Sequence, residues 1–206
     1  MSIDNYGELK TAVANWLKRD DLTSRIPEFI AGAEDRIAID LRIRAMETTA
    51  DLTVSSQTVA LPTGFLAQRR LYLDTSTDRK RLDFYPPADF WMRRASSETG
   101  TPVIYTVEGD NIVFGPTPDA TYTGKILYYQ RFTALSGDSD TNWLLSNQQF
   151  LLLYGALIEA SPFVGDDPRT MTWAMMYDDR IEKMQQADRD DRYPDSLQSH
   201  SQVSGP

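Results

Sequence analysis

Apolar residues recur at two different spacings along this chain, and the changes of spacing divide it into three stretches. From Tyr6 to Lys18, the residues Leu9, Val13, Trp16 and Leu17 fall three and four positions apart, on one face of a helix. Asp20-Asp21 and Thr23-Ser24 then supply turn and N-cap chemistry. A second helix is expected to start near Ser24, with Pro27 in its first turn, where a missing N–H is tolerated. Its apolar stripe is Ile26, Ile30, Ala33, Ile37 and Leu41, while Glu34, Asp35, Arg36, Asp40 and Arg42 take the other faces.

Near Met46 the period drops from about 3.6 to about 2. Leu52 and Val54 alternate with Thr53 and Ser55, and Val59 and Leu61 follow a Ser55-Ser56-Gln57 turn, which reads as a hairpin. Leu71 to Leu73 form a strand, and Lys80 to Phe84 its antiparallel partner across a polar turn at Asp74 to Asp78. Pro87 to Arg94 suits a short helix. Val103, Tyr105 and Val107 alternate before the tight turn Glu108-Gly109-Asp110-Asn111, from which Ile112 to Phe114 returns. Lys125 to Gln130 is the last strand.

After a loop at Ser136 to Thr141 the helical period resumes. Leu151, Tyr154, Leu157 and Ile158 mark a helix beginning near Ser146 or Asn147. Asp166-Asp167-Pro168 opens a last helix with Trp173, Met176, Tyr177, Ile181 and Met184 inward. From Arg192 the chain is polar, which suits a flexible arm. The expected fold is α+β: an antiparallel helical bundle built from N- and C-terminal helices, a β-rich insertion, and an extended C-terminal tail. The corresponding domains are residues 1–46 with 142–191, residues 47–141, and an arm at 192–206.

Composition supports a packed core, since 41% of residues are hydrophobic and 11% aromatic. No apolar run approaches the roughly 20 residues that span a bilayer. The first residues, Met1 to Tyr6, lack the basic stretch and apolar core of a signal peptide. The absence of cysteine excludes disulfides and thiolate metal sites, as suits synthesis in the cytoplasm. A net charge of −9 with a pI near 4.6 disfavours a dedicated nucleic-acid clamp, although DNA could pass such a protein without adhering.

Candidate chemistry is sparse. The single histidine, His200, lies in the polar tail, where a catalytic base has no fixed partner. No nucleophile elbow, Walker loop or dinucleotide fingerprint is present. The carboxylate pairs Asp20-Asp21, Asp166-Asp167 and Asp190-Asp191 fall at helix boundaries, where acidic residues have structural uses. Asp138 to Asn142 resembles the opening of a calcium loop, but Trp143 takes the place of the required glycine and Gln149 that of the closing glutamate. These residues predict no enzyme, no cofactor and no metal. Arg69, Arg70, Arg79, Lys80, Arg81, Arg93 and Arg94 cluster in the β region with Trp91, as an interface or as a solvated face paired with Asp74, Asp78, Asp83 and Asp89.

Four segments carry a family resemblance: LTSRIPEFIAGAEDRIAIDLRIRAMETT at 22–49, LPTGFLAQRRLYLD at 61–74, FGPTPDATYTGKILYYQRF at 114–132 and TNWLLSNQQFLLLYGALIEASPFVGDDPR at 141–169. In this order they resemble the head–tail adaptor (connector) proteins of tailed bacteriophages, especially podophage adaptors related to the T7-type tubular tail protein. The resemblance implies a structural virion protein at the head–tail junction. Such proteins form a homo-oligomeric ring, usually of twelve copies, that docks on the portal protein, extends the DNA channel and receives the next tail component (nozzle, tail tube or stopper). DNA passes without specific binding, and no membrane is involved. The resemblance also implies a portal-binding C-terminal arm, here with Arg192, Tyr193, Pro194, Leu197 and Val203. The candidate interface of the β part is Arg69, Arg70, Arg79, Arg81, Trp91, Arg93 and Arg94. Two other readings are a tail-completion or stopper protein binding below the adaptor, and a metal-dependent hydrolase built on the scattered carboxylates.

Overall fold

The computed structural model describes residues 3–75, 78–94, 98–165 and 167–192. In chain order its elements begin with helices α1 (Tyr6–Leu17) and α2 (Ile26–Asp40). Strands β1 (Glu47–Val54), β2 (Thr58–Ala60), β3 (Phe65–Asp74), β4 (Arg79–Arg81) and β5 (Asp83–Phe84) follow. Helix α3 (Pro87–Arg93) precedes strands β6 (Ile104–Glu108), β7 (Asn111–Gly115) and β8 (Tyr122–Gln130). Helices α4 (Trp143–Glu159), α5 (Ser161–Val164) and α6 (Arg169–Arg192) complete an α+β fold. The chain divides into two compact units, one of Met46–Arg131 and one of the segments on either side.

The helical unit is organised by α4, which packs against α1, α2 and α6. Leu144, Leu145 and every residue from Leu151 to Leu157 are buried, so α4 is apolar on nearly all faces, as a helix with neighbours on several sides must be. Asn142 caps it by accepting the Leu145 N–H at 2.9 Å. The helix therefore starts earlier than the expected Ser146 or Asn147, and Gln148 breaks it with φ −141° and ψ 45°. The polar stretch that resembles a helix start is a break inside one.

In α2 the whole predicted stripe is buried, and Gly155 lets α4 approach it closely: a Cβ there would lie 2.8 Å from the Cβ of Ala33. Asn5 caps α1, its side chain accepting the Glu8 N–H, while the Glu8 carboxylate accepts the Asp4 N–H. Trp16 leaves the stripe expected for α1 and is 39% exposed, with its ring edge against Tyr154. Along α6, Trp173 and Tyr177 are buried as expected, whereas Met176 is 42% exposed. The pattern drifts because only one side of α6 meets α4.

The β unit is a sandwich of two four-stranded sheets, ordered β1-β8-β3-β4 and β2-β7-β6-β5. Leu52, Val54, Leu71, Leu73, Ile126 and Tyr128 of the first sheet face Tyr105, Ile112 and Phe114 of the second. The expected β6–β7 hairpin and the antiparallel β3–β4 pair are present. The hairpin expected around Ser55 to Gln57 is not: β1 pairs with β8 and β2 with β7, in different sheets. Leu52 and Val54 must reach the core from one layer and Val59 from the other, so the chain crosses between layers at this turn. The same crossing occurs at Leu82, after which β5 pairs parallel to β6 rather than extending β4.

Helix α3 covers the outer face of the second sheet. Phe90 is fully buried there, and a Cβ on Gly115 would come 3.2 Å from its ring. Thr106 and Val113, opposite each other in the β6–β7 ladder, are buried on that same face.

Candidate functional site

The predicted interface residues all belong to the sandwich, and most are held by neighbours. Arg69 lies over the Tyr129 ring, donates to its hydroxyl at 3.0 Å, and pairs with Glu47 at 3.4 Å. Arg79 donates to Asp74 at 2.6 Å and holds the Asp74 carboxyl below the usual carboxylate range. Arg81 meets Asp83 at 3.4 Å, with both side chains exposed. Arg93 stacks on Tyr85 at 4.5 Å. Arg94 stacks on Trp91 and donates to the Thr117 hydroxyl at 2.7 Å, and the Trp91 indole N–H donates to Glu108. Arg70 and Lys80 have no such partner among the described residues.

These residues do not converge on one pocket. They spread along β3 and the edge strand β4 of the first sheet and along helix α3 on the second, and Phe84, Trp91 and Met92 are exposed as well. Of the acids interleaved with them, Asp74 and Asp83 pair with guanidinium groups, while Asp78 accepts the Arg79 backbone N–H. Such exposed pairs contribute little stability and exchange readily for a partner's charges.

At the C-terminal side, Arg192 ends α6 and donates to Asp188 at 2.6 Å, one turn earlier. Tyr193, Pro194, Leu197, Val203 and His200 lie outside the described residues. Asp188 also accepts the Arg44 backbone N–H at 2.6 Å, and Asp191 meets the Arg44 guanidinium at 3.3 Å. An open groove of about 400 Å³ runs here between Ile43 to Ala45, Trp143 and Met184. Sequence reasoning missed this groove, whose sides come from three distant segments. Met171 and Met175, one turn apart on α6, are 74% and 67% exposed.

The remaining candidate chemistry has structural uses. Asp140 accepts the backbone N–H groups of Gly137 and Ser136 and the Ser136 hydroxyl, which depress its pKa in that order. Asp138 pairs with Lys10 at 2.5 Å, so the loop that resembles a calcium site clamps the start of α1. Asp21 pairs with Arg19, and Asp167 accepts both the N–H and the guanidinium of Arg169 at the start of α6. Asp166 lies outside the described residues. Asp190 and Asp191 sit in the last turn of α6, the end where the helix dipole disfavours carboxylates, rather than at an N-terminus. Gln186 and Arg44 offset this by donating to them. Among the described residues no three His, Cys, Asp or Glu side chains gather as a metal site, and no helix is long and apolar enough to cross a membrane.

A chain whose exposed aromatics, methionines and cations lie on open edges and helix faces presents surfaces suited to other macromolecules. The class is that of a structural, adaptor-type protein of the bacteriophage virion. The chain belongs to the SU10 adaptor protein family, whose model matches residues 4–200. A comparison with curated proteins finds no match.

Proposed function

We propose that this protein is the adaptor that joins the portal to the tail, assembled as a ring that extends the DNA channel. The observation that carries this reading is the family match, which runs through both the helical unit and the sandwich. The finer kinship with podophage connectors rests on the four quoted segments. Two features of the chain support a role in assembly. The acidic balance of −9 lets DNA slide past with little adhesion. Residues 192–206 supply a polar segment of the kind that folds on a partner, and we assign them to the grip on the portal.

The test is binding of full-length protein to purified portal, followed by electron microscopy of the complex. A closed ring beneath the portal, with affinity reduced at least tenfold by deletion of residues 192–206, is the expected result. Equal affinity of the truncated chain removes the arm from the mechanism. Binding to a preformed adaptor ring, and none to portal, replaces this reading with a tail-completion or stopper role.

A further inference from the structure

The sandwich has two open sides, and they are chemically unlike. On one lie β1 and β2, the first strands of the two sheets; on the other lie β4 and β5, the last. Between Glu47 and Ala60 the first side carries the carboxylates Glu47 and Asp51, no basic residue, and the exposed hydroxyls of Thr49, Thr53 and Thr58. Between Arg79 and Phe84 the second carries Arg79, Lys80 and Arg81 against Asp83, with Phe84 exposed.

The two edges are also guarded differently. Strand β4 is three residues long, fully exposed and all basic, which blocks pairing with its own kind. Strand β1 is eight residues long, runs against β8 without a bulge, and contains no proline or lysine. Among the described residues it makes no backbone hydrogen bond beyond that ladder. A long regular edge of this kind is where another chain adds a strand.

Charge decides which chain. Two β4 edges would set cations against cations, and two β1 edges would set Glu47 and Asp51 against their own copies. A β1 edge meeting a β4 edge sets acids against bases. The internal pairs that would have to exchange are Asp51 with Lys125 and Arg81 with Asp83, both exposed at 3.4 Å, and the more sheltered Glu47 with Arg69 at 3.4 Å and Arg79 with Asp74 at 2.6 Å. We propose that the β1–β2 side of the sandwich is the docking surface for the β4–β5 side of a second copy. Contacts between unlike surfaces run head to tail, and they close into a ring when the rotation between copies allows. This inference rests on the ring reading above and adds which surfaces meet.

The lack of native cysteine makes the test direct. Thr49→Cys places a thiol on β1 and Arg81→Cys one on β4, both at exposed positions on the outward face of the first sheet. Concentrated full-length protein carrying both substitutions, treated with a short bifunctional maleimide, is expected to give a ladder of multimers. Each single variant alone is expected to stay uncrosslinked, and an equimolar mixture of the two to stop at a two-chain product. Cross-linked dimers from either single variant, or no ladder from the double one, overturn the proposal. Light scattering on the unmodified protein, alone and with portal, separates the two levels of failure. Copies that associate without the cross-link refute the edge pairing and leave the ring standing, whereas no association in either setting refutes the ring as well.

Discussion

Gly155→Ala tests how the helical unit is held together. The added methyl would come 2.8 Å from the Cβ of Ala33 on α2, with the Tyr177 ring 3.6 Å away. Carbon atoms in contact sit about 3.5–4.0 Å apart, so α2 and α4 would have to separate by about 1 Å at their crossing. Two effects oppose each other. Alanine is favoured over glycine inside a helix by about 0.8–1.0 kcal/mol. A methyl forced into a filled contact costs about 1–3 kcal/mol. Strain wins here, because Ala33 has no rotamer through which to yield and its Cβ can move only with the helix. The expected net loss is about 1 kcal/mol.

The reciprocal change, Ala33→Gly, removes one buried methyl, about 0.8 kcal/mol, and an alanine's helix preference, about 0.8–1.0 kcal/mol. Together these come to about 2 kcal/mol. Combining the two substitutions returns one methyl to the same crossing from the opposite helix. The double variant is therefore expected within about 0.5 kcal/mol of the parent, where independent sites would sum to about 3 kcal/mol. Urea unfolding followed by far-ultraviolet circular dichroism measures all four corners of the cycle. Additive losses, or a Gly155→Ala variant more stable than the parent, would refute the close crossing as the constraint that keeps residue 155 a glycine.

Two further predictions concern the sandwich. Phe90→Ala should cost about 3–5 kcal/mol in thermal unfolding, because it empties the fully buried contact that seats α3 on the second sheet; a loss under about 1 kcal/mol would show that α3 is dispensable to the packing. Burial pushes the Tyr105 phenol up to about 12, well above its unfolded value near 10. Its contribution is thus complete below pH 10 and is lost as pH rises through about 12. Tyr105→Phe should leave stability at neutral pH nearly unchanged and flatten the alkaline fall relative to the parent. Parallel alkaline curves for the two proteins would contradict this.

What could be read from sequence followed the strength of the local signal. The α2 stripe from Ile26 to Leu41 has an uninterrupted period, and all five of its residues are buried. The β6–β7 turn is marked by Glu108-Gly109-Asp110, and Gly109 does take a positive φ of 55°. The misreadings came where the outcome depends on distant partners. Nothing local distinguishes a hairpin at Ser55 to Gln57 from a crossing between layers, because β1 and β2 find their partners only in β8 and β7. The helix start placed at Ser146 had a true local signal, four polar residues in a row, but Asn142 caps the helix one turn earlier and Gln148 interrupts it. Two register shifts in β3, between Phe65 and Ala67 and between Gln68 and Arg70, likewise have no sequence marker. They help set where Arg69 and Arg70 emerge.

The basic cluster shows why residue type alone could not define the site. Seven cations within a short span look like one patch, yet five have an internal partner: a carboxylate, an aromatic ring, or both. The distinction that matters is between edge and interior of the sheets, which depends on strand order and is invisible until β8 is seen to lie between β1 and β3. Once β8 occupies the centre, β1 becomes an edge, its two carboxylates become an edge property, and β4 becomes the opposite edge with the opposite charge. Lys80 then stands out from its six neighbours. It is exposed on an edge strand, opposite Leu73 in the ladder, with no charge partner among the described residues. Arg79 and Arg81, on the other face of β4, share the outward face that Glu47 and Asp51 take on β1, so on the proposed edge pairing they rather than Lys80 are the bases an acidic edge would meet.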